Sequence, residues 1–268
     1  MDVTAHLIGY PRIGPNRELK WALERAWSGR MEADAFDARI AELRSAHIRE
    51  QRDAIGSAVD DFFLYDEVLE TALMLGIVPR DVAGTDAFAT LTALARGTPE
   101  REAWEMTKWF DTNYHYVVPE ITAAPSTLTP LPWREPLADA DVAWPILGPF
   151  SLVKLSKLAD GLDPVEVAHA AGDALWTWLR QQGASFQLQL DEPSLGMEMD
   201  ATDRTILDAA YEGAADLGFE RTPIVTVQFG RASAMALEWL GRIGLAVQVP
   251  ADRVEELRGT PGWEAQPE

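Results

Sequence analysis

Cysteine is absent from the 268 residues, which removes disulfides and every zinc site built on thiolate. The four histidines, His6, His47, His115 and His169, contain no pair at helical i, i+3 or i, i+4 spacing. A metal site would therefore need histidine joined to carboxylates from separate strands, and none is expected. No stretch approaches the roughly 20 apolar residues of a membrane span. The opening MDVTAHLIGY has no basic region ahead of an apolar run, so a soluble cytoplasmic protein without a targeting signal is expected. Basic charge is scarce too: 23 Lys and Arg against 43 Asp and Glu give a net charge of −20. That argues against nucleic acid as a partner, because phosphate binding draws on clustered cations.

What is present is a large apolar fraction, 47%, enough for one core of about 250 residues. An apolar run followed by turn residues reads as a strand over 5–10, and further strand candidates fall at 55–62, 104–110, 143–147, 186–191, 223–228 and 245–249. Helical patterns fall between most of them. Asn16 is placed to cap a helix through Leu19, Leu23, Ala26 and Trp27. Phe36, Ile40, Leu43 and His47 form the stripe of a second, with His47 read as a core-edge residue. Further helices are expected over 65–75, 87–95, 152–158, 165–181, 202–217 and 234–243. Alternation of this kind implies parallel strands with helical crossovers. The expected fold is an α/β, TIM-type (β/α) barrel over residues 1–258. It is incomplete, because seven strands can be counted where eight are needed. Residues 128–141 read as a surface connection, and 259–268 as a frayed tail. No internal repeats are found.

Positive charge is concentrated in one early segment. From Arg12 to Lys20 there are three basic residues (Arg12, Arg17 and Lys20) against Glu18 alone. Arg17 is expected on the first turn of a helix, where unpaired N–H groups and the helix dipole favour an anion, with Lys20 one turn on. The bland alternative is two solvated cations, with Glu18 as the dipole's partner. EMTKWFDTNYHY, Glu105 to Tyr116, sets Lys108 among aromatics at a strand end. An ammonium there must face solvent or an anion, so Lys108 is expected to join Arg17 and Lys20 at a barrel mouth. An aromatic core strand with a snorkelling lysine is the competing reading. In QLDEPSL, Asp191 and Glu192 invite a glycosidase reading. Neighbours on a strand point to opposite faces, however, so a partner such as Asp111 or Asp66 would be required.

GYPRIGPNRELK (9–20), FFLYDEVLETALMLGIVP (62–79), EMTKWFDTNYHYVVPE (105–120), GPFSLVKLSK (148–157) and QLDEPSL (189–195) stand in one order. In that order the chain resembles the amino-terminal domain of cobalamin-independent methionine synthase, from about Leu7 to Gln248. The resemblance implies two (β/α) barrels in one long chain that transfer a methyl group from 5-methyltetrahydropteroyl-polyglutamate to homocysteine in methionine biosynthesis. It also implies zinc in the carboxyl-terminal barrel, on histidine, glutamate and two cysteines, and no cofactor in the amino-terminal one. Positions implied to bind folate are Arg17, Glu18, Leu19, Lys20 and Lys108; no catalytic or metal-ligating residue is implied here. Two departures stand out: Asp60 where the family usually has glycine, and Glu67 where it usually has histidine. The chain also stops where the eighth strand is expected to begin. Two readings follow. In one, this is the folate-recognition part of a methyltransferase, inactive alone and completed by a separate zinc-bearing polypeptide. In the other, it is a free-standing, non-catalytic folate-binding module or relic.

Overall fold

The structure, a computed structural model, describes residues 7–182, 186–217, 223–227, 235–236, 238–239 and 246–248. The chain divides into two compact units. One holds Met1–Leu64, Pro130–Pro145 and Ser185–Gln187; the other holds Tyr65–Thr129, Ile146–Ala184 and Leu188–Glu268.

In the first unit, α1 (Glu18–Trp27) and α2 (Ala33–Ile55) lead to β1 (Ala58–Val59). Helix α2 buries Phe36, Ile40, Leu43 and His47, the stripe expected from the sequence. It stops at Gly56, whose φ of 83° is left-handed and lets its N–H return to the Arg52 carbonyl. Gln51 then fixes β1, accepting from Val59 N–H and donating to Val59 O. His47 sits edge-on between Tyr10 and Phe62, with ring centroids 5.6 and 5.2 Å away. Burial pushes its pKa below the ordinary imidazole value.

The second unit opens with α3 (Glu67–Met74) and α4 (Ala87–Arg96). Each starts at an aspartate, Asp66 or Asp86, whose side chain accepts a backbone N–H of the first turn. Then come β2 (Met106–Lys108), β3 (His115–Val117) and β4 (Glu120–Ile121), and in chain order β5 (Val142–Leu147), most of which belongs to the first unit. They are followed by α5 (Pro149–Lys154), β6 (Lys157–Leu158), α6 (Pro164–Gln182), β7 (Gln187–Asp191), α7 (Ala201–Ala210), β8 (Ile224–Thr226) and β9 (Ala246–Gln248). Every residue of β5 and β7 is buried, as strands covered on both faces must be. Gly172 brings α6 against α7: a Cβ there would lie 2.0 Å from the Ala210 carbonyl oxygen, which accepts from Trp176 Nε1.

The main sheet runs β1-β5-β7-β8-β9. Ala58 pairs with Val142, Gln189 with Ile224 and Ile224 with Ala246, all in parallel. The fold is thus mixed α/β with a parallel sheet, and among the described residues no strand joins β9 back to β1.

Several expected elements differ. Residues 104–110 are not a strand of the main sheet. Only Met106–Lys108 is extended, and it pairs antiparallel with His115–Val117. The cause is a reversal at Phe110, whose φ is 49°. Residues 7–10 form no strand, because Tyr10 N–H donates to Asp61 Oδ2 at 2.6 Å instead of to a ladder. The strand expected over 55–62 shrinks to β1, since α2 continues to Ile55. The helix expected over 152–158 starts earlier and ends at Lys154, and β6 pairs in parallel with β4. The 128–141 connection is not confined to the surface: Leu131, Trp133 and Arg134 are buried. Most of 234–243 and all of 259–268 lie outside the described residues.

Candidate anion-binding site

The sequence GPNRELK folds into a tight helix start. Arg17 N–H donates to the Gly14 carbonyl at 3.0 Å and Leu19 N–H to that of Ile13 at 3.2 Å. Arg17, not Asn16, occupies the position before α1, with φ 62° and ψ 39°. Asn16 serves Glu18 instead: its backbone N–H and its Nδ2 each donate to the Glu18 carboxylate at 3.0 Å. These bonds hold the Glu18 pKa below the ordinary carboxylate range. Gly14 suits the turn beside it, its φ of 81° lying in the left-handed region that strains other residues. The Leu19 side chain is buried in the core. Arg17 and Lys20 are both exposed, one helical turn apart. Among the described residues neither has a carboxylate partner, while Arg39, Arg44, Arg52, Arg101, Lys154, Lys157 and Arg204 do.

The second unit presents the other segment as a hairpin. Trp109 N–H donates to Tyr114 O at 2.8 Å, and Thr112 closes the turn on the Trp109 carbonyl. Trp109 meets Phe110 and Tyr116 edge-on, at 5.2 and 5.6 Å between centroids. Tyr116 is rooted in the core, its hydroxyl donating to Leu155 O at 3.2 Å, and burial pushes its pKa up to about 12. Lys108 lies opposite His115 on an exposed strand, with Tyr114 76% exposed. No carboxylate pairs with Lys108 among the described residues. The snorkelling-core reading fails, because all of β2 is exposed. Among the described residues, Arg17 and Phe110 are the non-glycine ones with positive φ. Backbone strain of that kind persists where the surroundings impose it and is concentrated at binding sites.

The third segment is structural. Glu192 is wholly buried. Oε2 accepts from Ser151 N–H at 2.7 Å, and Oε1 accepts from Phe150 N–H at 3.2 Å and from the Tyr211 hydroxyl at 2.8 Å. Burial raises its pKa to about 7, against the opposing pull of those donors. Asp191 Oδ1 has different neighbours, accepting from Gln189 Nε2 at 2.8 Å and from Thr226 Oγ1. Asp66 caps α3 and also accepts from Val117 N–H. Each of these carboxylates accepts hydrogen bonds that fix a helix start or a strand end, which favours a structural role over the hydrolase reading. Sequence reasoning missed the partners of Glu192. The available signal was GPFS, a glycine and proline opening a helix that needs an acceptor for its first N–H groups.

Asp60 is equally committed. Arg44 grips it with Nε and Nη2, and the Asp60 carbonyl accepts from the fully buried Arg134. Among the described residues no group of three or more His, Cys, Asp or Glu is arranged to hold a metal ion, and no helix is long and apolar enough to cross a membrane.

A family model described as "Cobalamin-independent synthase, N-terminal domain" matches residues 4–255. Three relatives carry the name 5-methyltetrahydropteroyltriglutamate–homocysteine methyltransferase. That of Xylella fastidiosa strain M23 is 36% identical over 280 residues, covering 94% of this chain and 35% of the relative. That of Streptomyces coelicolor is 38% identical over 248 residues, covering 85% and 32%. That of Burkholderia thailandensis is 40% identical over 228 residues, covering 78% and 30%. The chain spans about a third of the length of the curated relatives it matches.

Proposed function

The chain belongs to the cobalamin-independent synthase family through its N-terminal domain, and from that membership we propose that it is the folate-recognition part of a methionine synthase. The reaction is methyl transfer from 5-methyltetrahydropteroyl-polyglutamate to homocysteine. Arg17 and Lys20 at the start of α1 hold carboxylates of the polyglutamate tail, and Lys108, on the hairpin of the other unit, is a further folate-binding residue in this proposal. Glu18 and Leu19 act through the helix start they build, one by anchoring it with a carboxylate and the other by burying its side chain. The same membership supports a (β/α) barrel as the architecture, in keeping with the parallel order of the main sheet.

The observation that carries this reading is electrostatic. In a chain of net charge −20, Arg17, Lys20 and Lys108 are exposed without a carboxylate partner among the described residues. Arginine and lysine left open in this way suit a ligand with several carboxylates. Zinc, where it is bound, acts as a Lewis acid that lowers the pKa of a bound thiol. The residues here do not fit that ion, since the chain has no thiolate donor and the described residues no grouped ligands. In this proposal the residues described here contribute folate recognition, and the zinc chemistry of the reaction is supplied outside them.

Titration with mono- and triglutamate 5-methyltetrahydrofolate, read by tryptophan fluorescence, tests the proposal. Tighter, salt-sensitive binding of the triglutamate that is lost in the Arg17→Ala/Lys20→Ala variant is expected. Equal, salt-insensitive affinity for both would overturn it in favour of a non-catalytic relic.

A further inference from the structure

Helix α1 leaves a large apolar side chain in water where its core face gives no reason to. Leu19, Ala22 and Leu23 are buried, whereas Trp21 is 53% exposed. The Lys20 ammonium lies 5.7 Å from the centroid of that indole ring. Arg25 is one turn beyond Trp21 and exposed, again without a carboxylate partner among the described residues. Trp21 and Arg25 line a groove of about 640 Å³ between α1 and α2, together with Met31, Ala35 and Ala38. The acids nearby are engaged elsewhere: Glu18 with Asn16, and Glu42 with Arg39 at 2.6 Å. Glu24, one turn after Lys20, is not paired with it. Arg17, Trp21 and Arg25 thus follow one another at i, i+4 and i+8, each step a rise of about 6 Å.

We infer that this face of α1 is a track for an extended oligocarboxylate, in which Arg25 takes a carboxylate beyond those at Arg17 and Lys20 while Trp21 packs on the methylenes between them. The inference rests on the reading of Arg17 and Lys20 as an anion site and adds to it a count of tail units. A γ-linked glutamate repeat has five backbone bonds and extends about 6 Å, so its free carboxylates recur at the spacing of successive turns of α1. The paired methylenes of each repeat supply an apolar stretch of the right length to cover an indole that is otherwise in water. A cation near that ring also gains from it.

The experiment is calorimetric titration of the whole chain with 5-methyltetrahydrofolates carrying one, three and five γ-linked glutamates. Arg25→Ala is expected to leave monoglutamate affinity unchanged and to weaken the pentaglutamate about two- to fivefold, the scale of an exposed ion pair. Arg25→Lys should restore most of that loss, and Trp21→Ala should weaken only ligands with more than one glutamate. If Arg17→Ala and Lys20→Ala weaken the triglutamate but Arg25→Ala changes no ligand, the track falls and the anion site stands. A uniform loss in Arg25→Ala, monoglutamate included, overturns the track as well. Indifference of all three cation variants removes the anion site itself. Unchanged urea midpoints for the variants separate binding from folding.

Discussion

Glu192→Gln should reverse its effect on stability between acid and neutral pH. The carboxyl group is fully buried, with no cation paired to it among the described residues; Phe150 N–H, the Ser151 N–H and hydroxyl, and the Tyr211 hydroxyl surround it. Its pKa rises from 4.5 to about 7 because burial outweighs those donors. Between these values the folded chain keeps a proton that the unfolded chain has released. The contribution to stability is therefore complete below pH 4.5 and is lost as pH rises toward 7. The interval corresponds to about 3 kcal/mol, at roughly 1.4 kcal/mol per pH unit. Glutamine can place its oxygen at Ser151 and its amide at the Tyr211 oxygen, giving up the longest contact, the 3.2 Å bond from Phe150 N–H. That loss costs about 1 kcal/mol at every pH. The variant should accordingly be less stable than the parent at pH 4.5 and more stable by about 2 kcal/mol at pH 8, once both terms are combined. Urea unfolding followed by far-ultraviolet circular dichroism at half-unit pH steps gives the two curves. The other 42 acidic residues (43 less Glu192) tilt both curves alike as they ionise, so only the difference reports on Glu192. Parallel curves that never cross would refute the reasoning.

Gly148→Ala and Gly172→Ala should each destabilise by about 1–3 kcal/mol, because a Cβ would meet Glu192 Oε1 or Ala210 O at 2.0 Å; urea midpoints would read it, and unchanged midpoints would mean the packing yields freely. Removing the guanidinium in Arg44→Ala strands the buried Asp60 carboxylate and should cost about 3–5 kcal/mol, with Arg44→Ala/Asp60→Asn recovering part of it in a thermal melt. His47 has a folded pKa below the ordinary 6.5. Its contribution is present above that value and is lost as pH falls, so His47→Phe should flatten the acid side of the stability profile. Glu18→Gln keeps an acceptor for the Asn16 donors that anchor the helix start but removes the negative charge beside Arg17 and Lys20; triglutamate binding should tighten about two- to fivefold at low salt and less at high salt, as titration would show.

The elements legible in the sequence are those whose pattern depends on burial alone. Phe36, Ile40, Leu43 and His47 recur at helical period, and all four are buried on α2. Residues 143–147 form a continuous apolar run and 186–191 an alternating one, and β5 and β7 lie on them with every residue covered. Where the outcome depends on a tertiary bond, the pattern was silent. Residues 104–110 alternate as a barrel strand would, yet the reversal at Phe110 folds them into a hairpin whose first strand is exposed. The apolar run ending at Tyr10 fails for a related reason, its N–H being claimed by an aspartate 51 residues away. Asn16 has the chemistry of a helix cap, but the Glu18 carboxylate is nearer to hand as its acceptor.

The cations of the candidate site were legible because charge imbalance survives any choice of secondary structure: Arg17, Lys20 and Lys108 are exposed whether their segments are helix, strand or hairpin. The departures from the family pattern were harder to weigh. Read alone, Asp60 places a carboxylate where glycine is usual and casts doubt on anion binding near that loop. Its side chain, however, is turned to Arg44, while its carbonyl receives Arg134, whose guanidinium lies 4.1 Å over the Phe63 ring and also donates to Pro145 O. Arg44 comes from α2 and Arg134 from 128–141, so neither is a local neighbour that a motif would reveal. The extra negative charge is thus neutralised inside the first unit and adds no field against an approaching polyanion. Replacing Asp60 by glycine would leave Arg44 without its carboxylate, which makes this position a matter of stability.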